Sequence, residues 1–297
     1  MMPFVGELAA LLTALCWSVG PLAFSTAIRR VGSVQVNVTR LALASVMLGA
    51  TIVLLRLPMG VTPPQLALLA ASGVVGLVLG DSFLFQAFAL VGPRLSMLVM
   101  SLAPAFAAVL AWVFLDEHLD VTGMAGMAVT LLGVAIVVRE RAPAGDASTA
   151  HRTLGLTLAL LAAAGQAANL ILAKQAFNLG PIEGMVAAFV RITTSVLILA
   201  PVMIALGYYH NPVRVFGADR RALGLLALGT LTGPYLGITL SLVAIKHAHV
   251  GIAATLMATV PVTMLPLVRY VYRERLTTRA KVGALVAVLG VAVLTLL

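Results

Sequence analysis

The sequence predicts an all-α integral membrane protein of ten transmembrane helices, arranged as two inverted five-helix repeats around a central cavity. Three observations predict it. Of 297 residues, 61% are hydrophobic and only 10% charged, with mean hydropathy +1.09. A soluble domain carries roughly 25% charged residues, and no soluble core hides that much apolar surface. Apolar runs of bilayer length recur along the whole chain, and its second half repeats its first.

A helix needs about 20 largely apolar residues to cross the hydrocarbon core. Ten stretches qualify when short, Gly-rich and Pro-containing members are admitted: 8–28, 34–55, 66–90, 95–115, 123–138, 154–177, 184–206, 223–245, 251–270 and 280–297. The first run has no basic stretch before it, so it reads as a retained helix rather than a cleaved signal. The single cysteine, Cys16, lies inside that run, which leaves neither a disulfide framework nor a cysteine metal cluster.

The connections justify the spans in turn. Arg29 and Arg30 follow the first, Arg94 the third, Arg139, Arg141 and Arg152 the fifth, Arg214, Arg220 and Arg221 the seventh, and Arg269, Arg273, Arg275, Arg279 and Lys281 the ninth. The intervening connections carry only Arg56, Lys174 and Lys246. Basic residues beside helix ends are retained in the cytoplasm. The asymmetry therefore places both termini outside the cytoplasm of a bacterial-type inner membrane, and an odd number of spans would scramble it. The net charge of +9 is thereby a topology signal, and nucleic-acid binding is excluded by the side-specific placement.

From Gly80 onward, residues match others 157 positions later: Gly80 with Gly237, Ala87 with Ala244, Pro104 with Pro261, Glu117 with Glu274, Gly126 with Gly283 and Gly133 with Gly290. Upstream the offset drifts, pairing Gly6 with Gly155 and Arg40 with Arg191. The expected division is a first repeat at 1–141, a cytoplasmic linker at 142–151 and a second repeat at 152–297. Five spans per repeat force opposite orientations, and inverted repeats rocking about a shared site produce alternating access. Duplication that merely builds a symmetric bundle is the competing reading.

The segments LAPAFAAVLAWVFLDEHLDVTGMAGMAVTLLGVAIVV and ATVPVTMLPLVRYVYRERLTTRAKVGALVAVLGVAVLTL carry a mid-helix proline, an acidic residue closing the helix and two later glycines. Here these are Pro104, Glu117, Gly126 and Gly133, then Pro261, Glu274, Gly283 and Gly290. This pattern resembles the end of the EamA domain of the drug/metabolite transporter superfamily, present as two tandem copies over nearly the whole chain. The resemblance implies a secondary carrier, often an exporter of amino acids, other metabolites or toxic compounds. A channel-like facilitator and a carrier for cationic or toxic compounds are the alternatives. No Ser/Lys pair, paired aspartates or HExxH motif suggests an enzyme, and no filter-like repeated loop suggests a selective pore.

Charged groups at membrane depth cost roughly 2.5 to 3.5 kcal/mol each even on insertion scales, so each needs a reason. Asp81 falls past the middle of the third span, where its counterpart in the second repeat is Ile238. It is the leading site candidate, for a substrate ammonium or for protons, with an ion pair to Arg40 as the structural alternative. Arg40 and Arg191 are read as snorkelling to the interface, with substrate contact as the alternative. Gln166 and Asn169 share a helix face, and with Trp17 and Ser18 near the facing position of the first copy they would suit a cavity wall at the repeat interface, with interhelical hydrogen bonding as the alternative. Gln86 and Tyr235 complete the candidate binding set, with Pro104, Pro261 and Pro234 as hinges. Glu117 and Glu274 are expected to fix helix ends, and Gly73, Gly76 and Gly80 to permit close packing. The reading predicts a functional monomer with a small-molecule substrate and lipid as partners, no metal or cofactor, and coupling to protons as an option.

Overall fold

The computed structural model describes residues 4–139, 149–260, 262–263 and 278–296. Among them no strand occurs, and six helices are long and apolar enough to cross a membrane. Apart from a short helix at Pro212–Ala218, we number the helices α1 (Val5–Val31), α2 (Ser33–Leu54), α3 (Pro63–Gly92), α4 (93–100 and Ala103–Leu115), α5 (Val121–Arg139), α6 (Thr149–Asn178), α7 (Gly184–Ala205), α8 (Arg220–His247), α9 (Val250–Met257) and α10 (Thr278–Leu296). Gly32, at φ +90°, is the single residue between α1 and α2, a conformation that favours glycine.

Packing inverts the soluble pattern. On α1, Leu8, Leu12 and Leu15 face outward while Ala9, Ala10, Thr13 and Ala14 are buried. Lipid is as apolar as leucine, so large side chains gain little by facing inward, and small ones let backbones approach. The repeated glycines serve the same end. A methyl group on Gly133 would overlap the backbone of Gly283 and Ala287, and one on Gly290 would overlap Thr130, so α5 and α10 touch main chain to main chain.

Two long helices are interrupted by π-helical turns, Val74–Gly80 in α3 and Leu231–Gly237 in α8, which lie 157 positions apart, the offset of the sequence repeat. In α8 the cause is Pro234, which has no N–H to donate and crowds the carbonyl four residues back. In α3 no proline is present, and the turn accompanies tight packing of Gly76 on Asn169 and of Gly80 beside Gly165. Each π turn inserts a residue and so rotates the following helix by about 100°. The fourth expected span is likewise divided, at Ser101 and Leu102 just before Pro104, whereas Pro261 and Glu274 lie outside the described residues.

Polar ties fix both ends of the bundle. At one end Arg30 Nε donates to Asp219 Oδ2 at 2.5 Å, and Asp219 Oδ1 accepts from the Ala222 N–H at 2.9 Å, joining the end of α1 to the start of α8. At the other, Glu117 Oε2 accepts from the Val250 N–H at 2.7 Å, Lys174 Nζ donates to the Ile245 carbonyl at 2.7 Å, and Lys246 Nζ donates to the Ile182 carbonyl at 2.7 Å. Glu117 thus fixes the start of α9, the role expected of it.

Arg30, and then the Ala222 N–H, hold the Asp219 carboxyl below the ordinary carboxylate range. A depressed folded pKa stabilises above the unfolded value of about 3.9, and that stabilisation is lost as pH falls through the folded value. Asp219→Asn is accordingly expected to unfold at a slightly lower temperature than wild type at pH 7. The difference should shrink in paired thermal scans as pH falls below the unfolded value, and it should be small because exposed pairs contribute little.

Candidate functional site

The charged residues at depth converge on one cavity of about 130 Å³. α1 contributes Trp17 and Phe24, α2 Arg40, α3 Leu77, Asp81 and Phe85, α6 Gln166 and Asn169, α7 Arg191, and α8 Gly233, Pro234 and Ile238. Both π turns therefore reach the cavity wall, through Leu77 on one side and Gly233 and Pro234 on the other. Asp81 is the first residue after the α3 turn.

Two guanidinium groups occupy this space in different ways. Arg40 donates to Asp81 Oδ2 through Nη2, and to Asn37 Oδ1 through Nε at 3.1 Å and Nη2 at 2.9 Å. Its guanidinium carbon stands 4.5 Å from the centroid of Phe85 and 5.3 Å from that of Phe24, within cation–π range. Arg191 donates through Nη2 to Asn169 Oδ1 at 2.6 Å. Asn169 is itself held, its Nδ2 donating to the Gln166 carbonyl at 2.8 Å and to Gln166 Oε1 at 3.0 Å, while Ser72 Oγ donates to its carbonyl at 2.7 Å. Arg191 Nε is buried and has no hydrogen-bond partner among the described residues.

Arg40 and Arg191 are 5% and 2% exposed, which corrects the expectation that they snorkel to the interface. Their partners explain why. An asparagine is within reach of each guanidinium, and an aspartate also meets Arg40, so the inward rotamer is hydrogen-bonded where the outward one would abandon those groups.

Of the remaining candidates, Asp81, Trp17, Gln166, Asn169 and Pro234 line the cavity together. Ser18 is buried and donates to the Leu15 carbonyl at 2.6 Å. Tyr235 lies apart, its hydroxyl 2.8 Å from that of Thr51. Gln86 is exposed and borders a second cavity with Ser33, Asn37 and Ser82. Pro104 is buried at the start of the second piece of α4. Sequence reading missed the aromatic wall of Phe24, Phe85 and Phe88, and it missed Asn37. Helical spacing offered a signal for both, since Phe85 and Phe88 are three apart and so are Asn37 and Arg40.

Long apolar helices, an alanine-rich interior and charged groups gathered around one cavity at depth define a multi-pass membrane protein with an internal polar site. The chain belongs to the EamA-like transporter family, whose model matches residues 4–139 and 153–296 and whose members are transporters rather than enzymes. A crystal structure of another protein is similar over 98% of this chain and 96% of that one, with a TM-score of 0.78 at 20% identity, which shows a shared fold. No curated protein matches the chain.

Proposed function

We propose that the chain is a secondary transporter, an exporter of small polar metabolites with amino acids among them, working by alternating access between two inverted five-helix repeats. The observation that carries this reading is the cavity around Arg40, Asp81 and Arg191, walled by helices from both sequence repeats. A polar pocket at the interface of inverted repeats, flanked by broken helices, is where such carriers hold their cargo. π turns add a place where the helix ladder is already interrupted, so rotation there breaks few further bonds. The repeats run over 1–141 and 152–297, with 142–151 as a cytoplasmic linker. The basic connections support a bacterial-type inner membrane with both termini outside the cytoplasm. The carrier acts as a monomer without cofactor, and Asp81, at the cavity, is the group through which protons would couple.

Proteoliposomes loaded with a panel of amino acids and small organic acids test the reading. The expected result is saturable uptake with counterflow, altered by an imposed pH gradient where protons are coupled. Flux that neither saturates nor shows counterflow would establish a channel-like facilitator instead.

A further inference from the structure

The repeat relation makes the two cavity arginines inequivalent in one respect. Arg40 has its carboxylate, Asp81. The position 157 residues after Asp81 is Ile238, which lines the same cavity and offers Arg191 no charge. Arg191 feels Asp81 at a distance but forms no hydrogen bond with it, and its Nε is left without a partner. Two guanidiniums and one carboxylate leave the cavity one positive charge in excess. A buried, unpaired charge with an unmade hydrogen bond is costly, and Asn169, locked by Gln166, holds this one in place.

We propose that the cargo is a small organic monoanion, a carboxylate with an apolar side group, whose carboxylate meets Arg191 as Asp81 meets Arg40. This rests on the transport reading and, within its small polar metabolites, replaces amino acids by monocarboxylates. A single carboxylate brings the cavity to neutrality, whereas a zwitterion leaves the excess and a cation doubles it. A carboxylate suits this guanidinium because its Nε–H has no partner while Nη2 is held by Asn169. The rest of the wall selects the side group: Phe24, Leu84, Phe85, Phe88 and Met97 are apolar. Size sets the limit, because a cavity of about 130 Å³ is close to the roughly 150 Å³ that accommodates benzene. A phosphate would bring more charge than is uncompensated and no apolar part.

The test offers one branched skeleton in three charge states: 4-methyl-2-oxopentanoate as monoanion, L-leucine as zwitterion and isoamylamine as cation. Trp17 lines the cavity and the chain has only one other tryptophan, Trp112, so quenching of Trp17 fluorescence in a Trp112→Phe background reports binding to the purified full chain. We expect the oxo acid to bind at least about tenfold more tightly than its companions, and Arg191→Gln to weaken it about 10- to 100-fold. Arg191→Lys, which keeps the charge and loses the fork, should fall between. Should either variant fail to fold, the wild-type series decides. Equal or tighter binding of leucine or isoamylamine, no binding of the oxo acid, or its displacement by inorganic phosphate at equal concentration would overturn the proposal. Monoanion binding without flux in vesicles would sink the transport reading and leave standing only a monoanion-binding site at Arg191. Leucine or amine flux without monoanion binding would do the reverse.

Discussion

Asp81→Asn is expected to reduce transport by about 100-fold or more, a loss of a few kcal/mol in the interactions that shape the site. The substitution preserves size and removes the charge that compensates Arg40. Arg40 would keep Asn37 and the faces of Phe24 and Phe85, all neutral, so two guanidiniums would repel across the cavity with no anion between them. Breaking one side of a buried ion pair costs about 3–5 kcal/mol, because the surviving charge remains desolvated. Thermal stability should therefore fall together with flux. The double variant Arg40→Gln/Asp81→Asn separates the two effects, since it removes the orphaned charge and should recover stability without recovering transport. Initial flux normalised to reconstituted protein is the measurement, and near-normal flux from a well-expressed Asp81→Asn would defeat the assignment.

Gly133→Leu is expected to lower the unfolding temperature on the order of 3–5 °C, the consequence of about 2–3 kcal/mol of overpacking in a chain of this size. Between α5 and α10 the obstacle is backbone rather than a flexible side-chain tip. The added atoms would meet the Ala287 amide and the Gly283 carbonyl, so the helices must move apart along the line where they touch. In lipid no hydrophobic force draws them back, and nothing replaces the dispersion attraction that separation gives up. Gly290→Leu should behave similarly, through Thr130. Gly224→Leu is the control: a side chain there meets open space, and its melting temperature should stay near wild type in the same detergent.

The two sites differ in how far sequence alone reveals them. Gly133 and Gly290 stand out as equivalent positions in two copies of one motif, and a glycine kept twice in a membrane helix already suggests close approach. Asp81 stands out because a carboxylate at membrane depth is costly, and an ion pair with Arg40 is one of the two roles its position allows. Arg40 is the harder case. Several residues into a span, a long cationic side chain reaches either the interface or the interior, and the outcome rests on Asn37, Asp81 and the rings of Phe24 and Phe85, three of them from other helices.

The π turns divide in the same way. Pro234 announces the break in α8 through its missing donor, but the matching turn in α3 has no proline and coincides with close packing of Asn169 and Gly165 from another helix.

Composition, apolar periodicity and the repeat were enough to establish a multi-pass helical membrane protein, because the bilayer imposes segment length and backbone satisfaction on each helix one at a time. The site was not accessible that way. Whether Arg40 finds Asp81, whether Arg191 keeps an unmet N–H, and whether Trp17, Gln166 and Asn169 share one cavity while Gln86 and Tyr235 stand apart are relations between helices far separated in sequence. Their geometry follows from helix rotation and close packing, and those are properties of the assembled bundle.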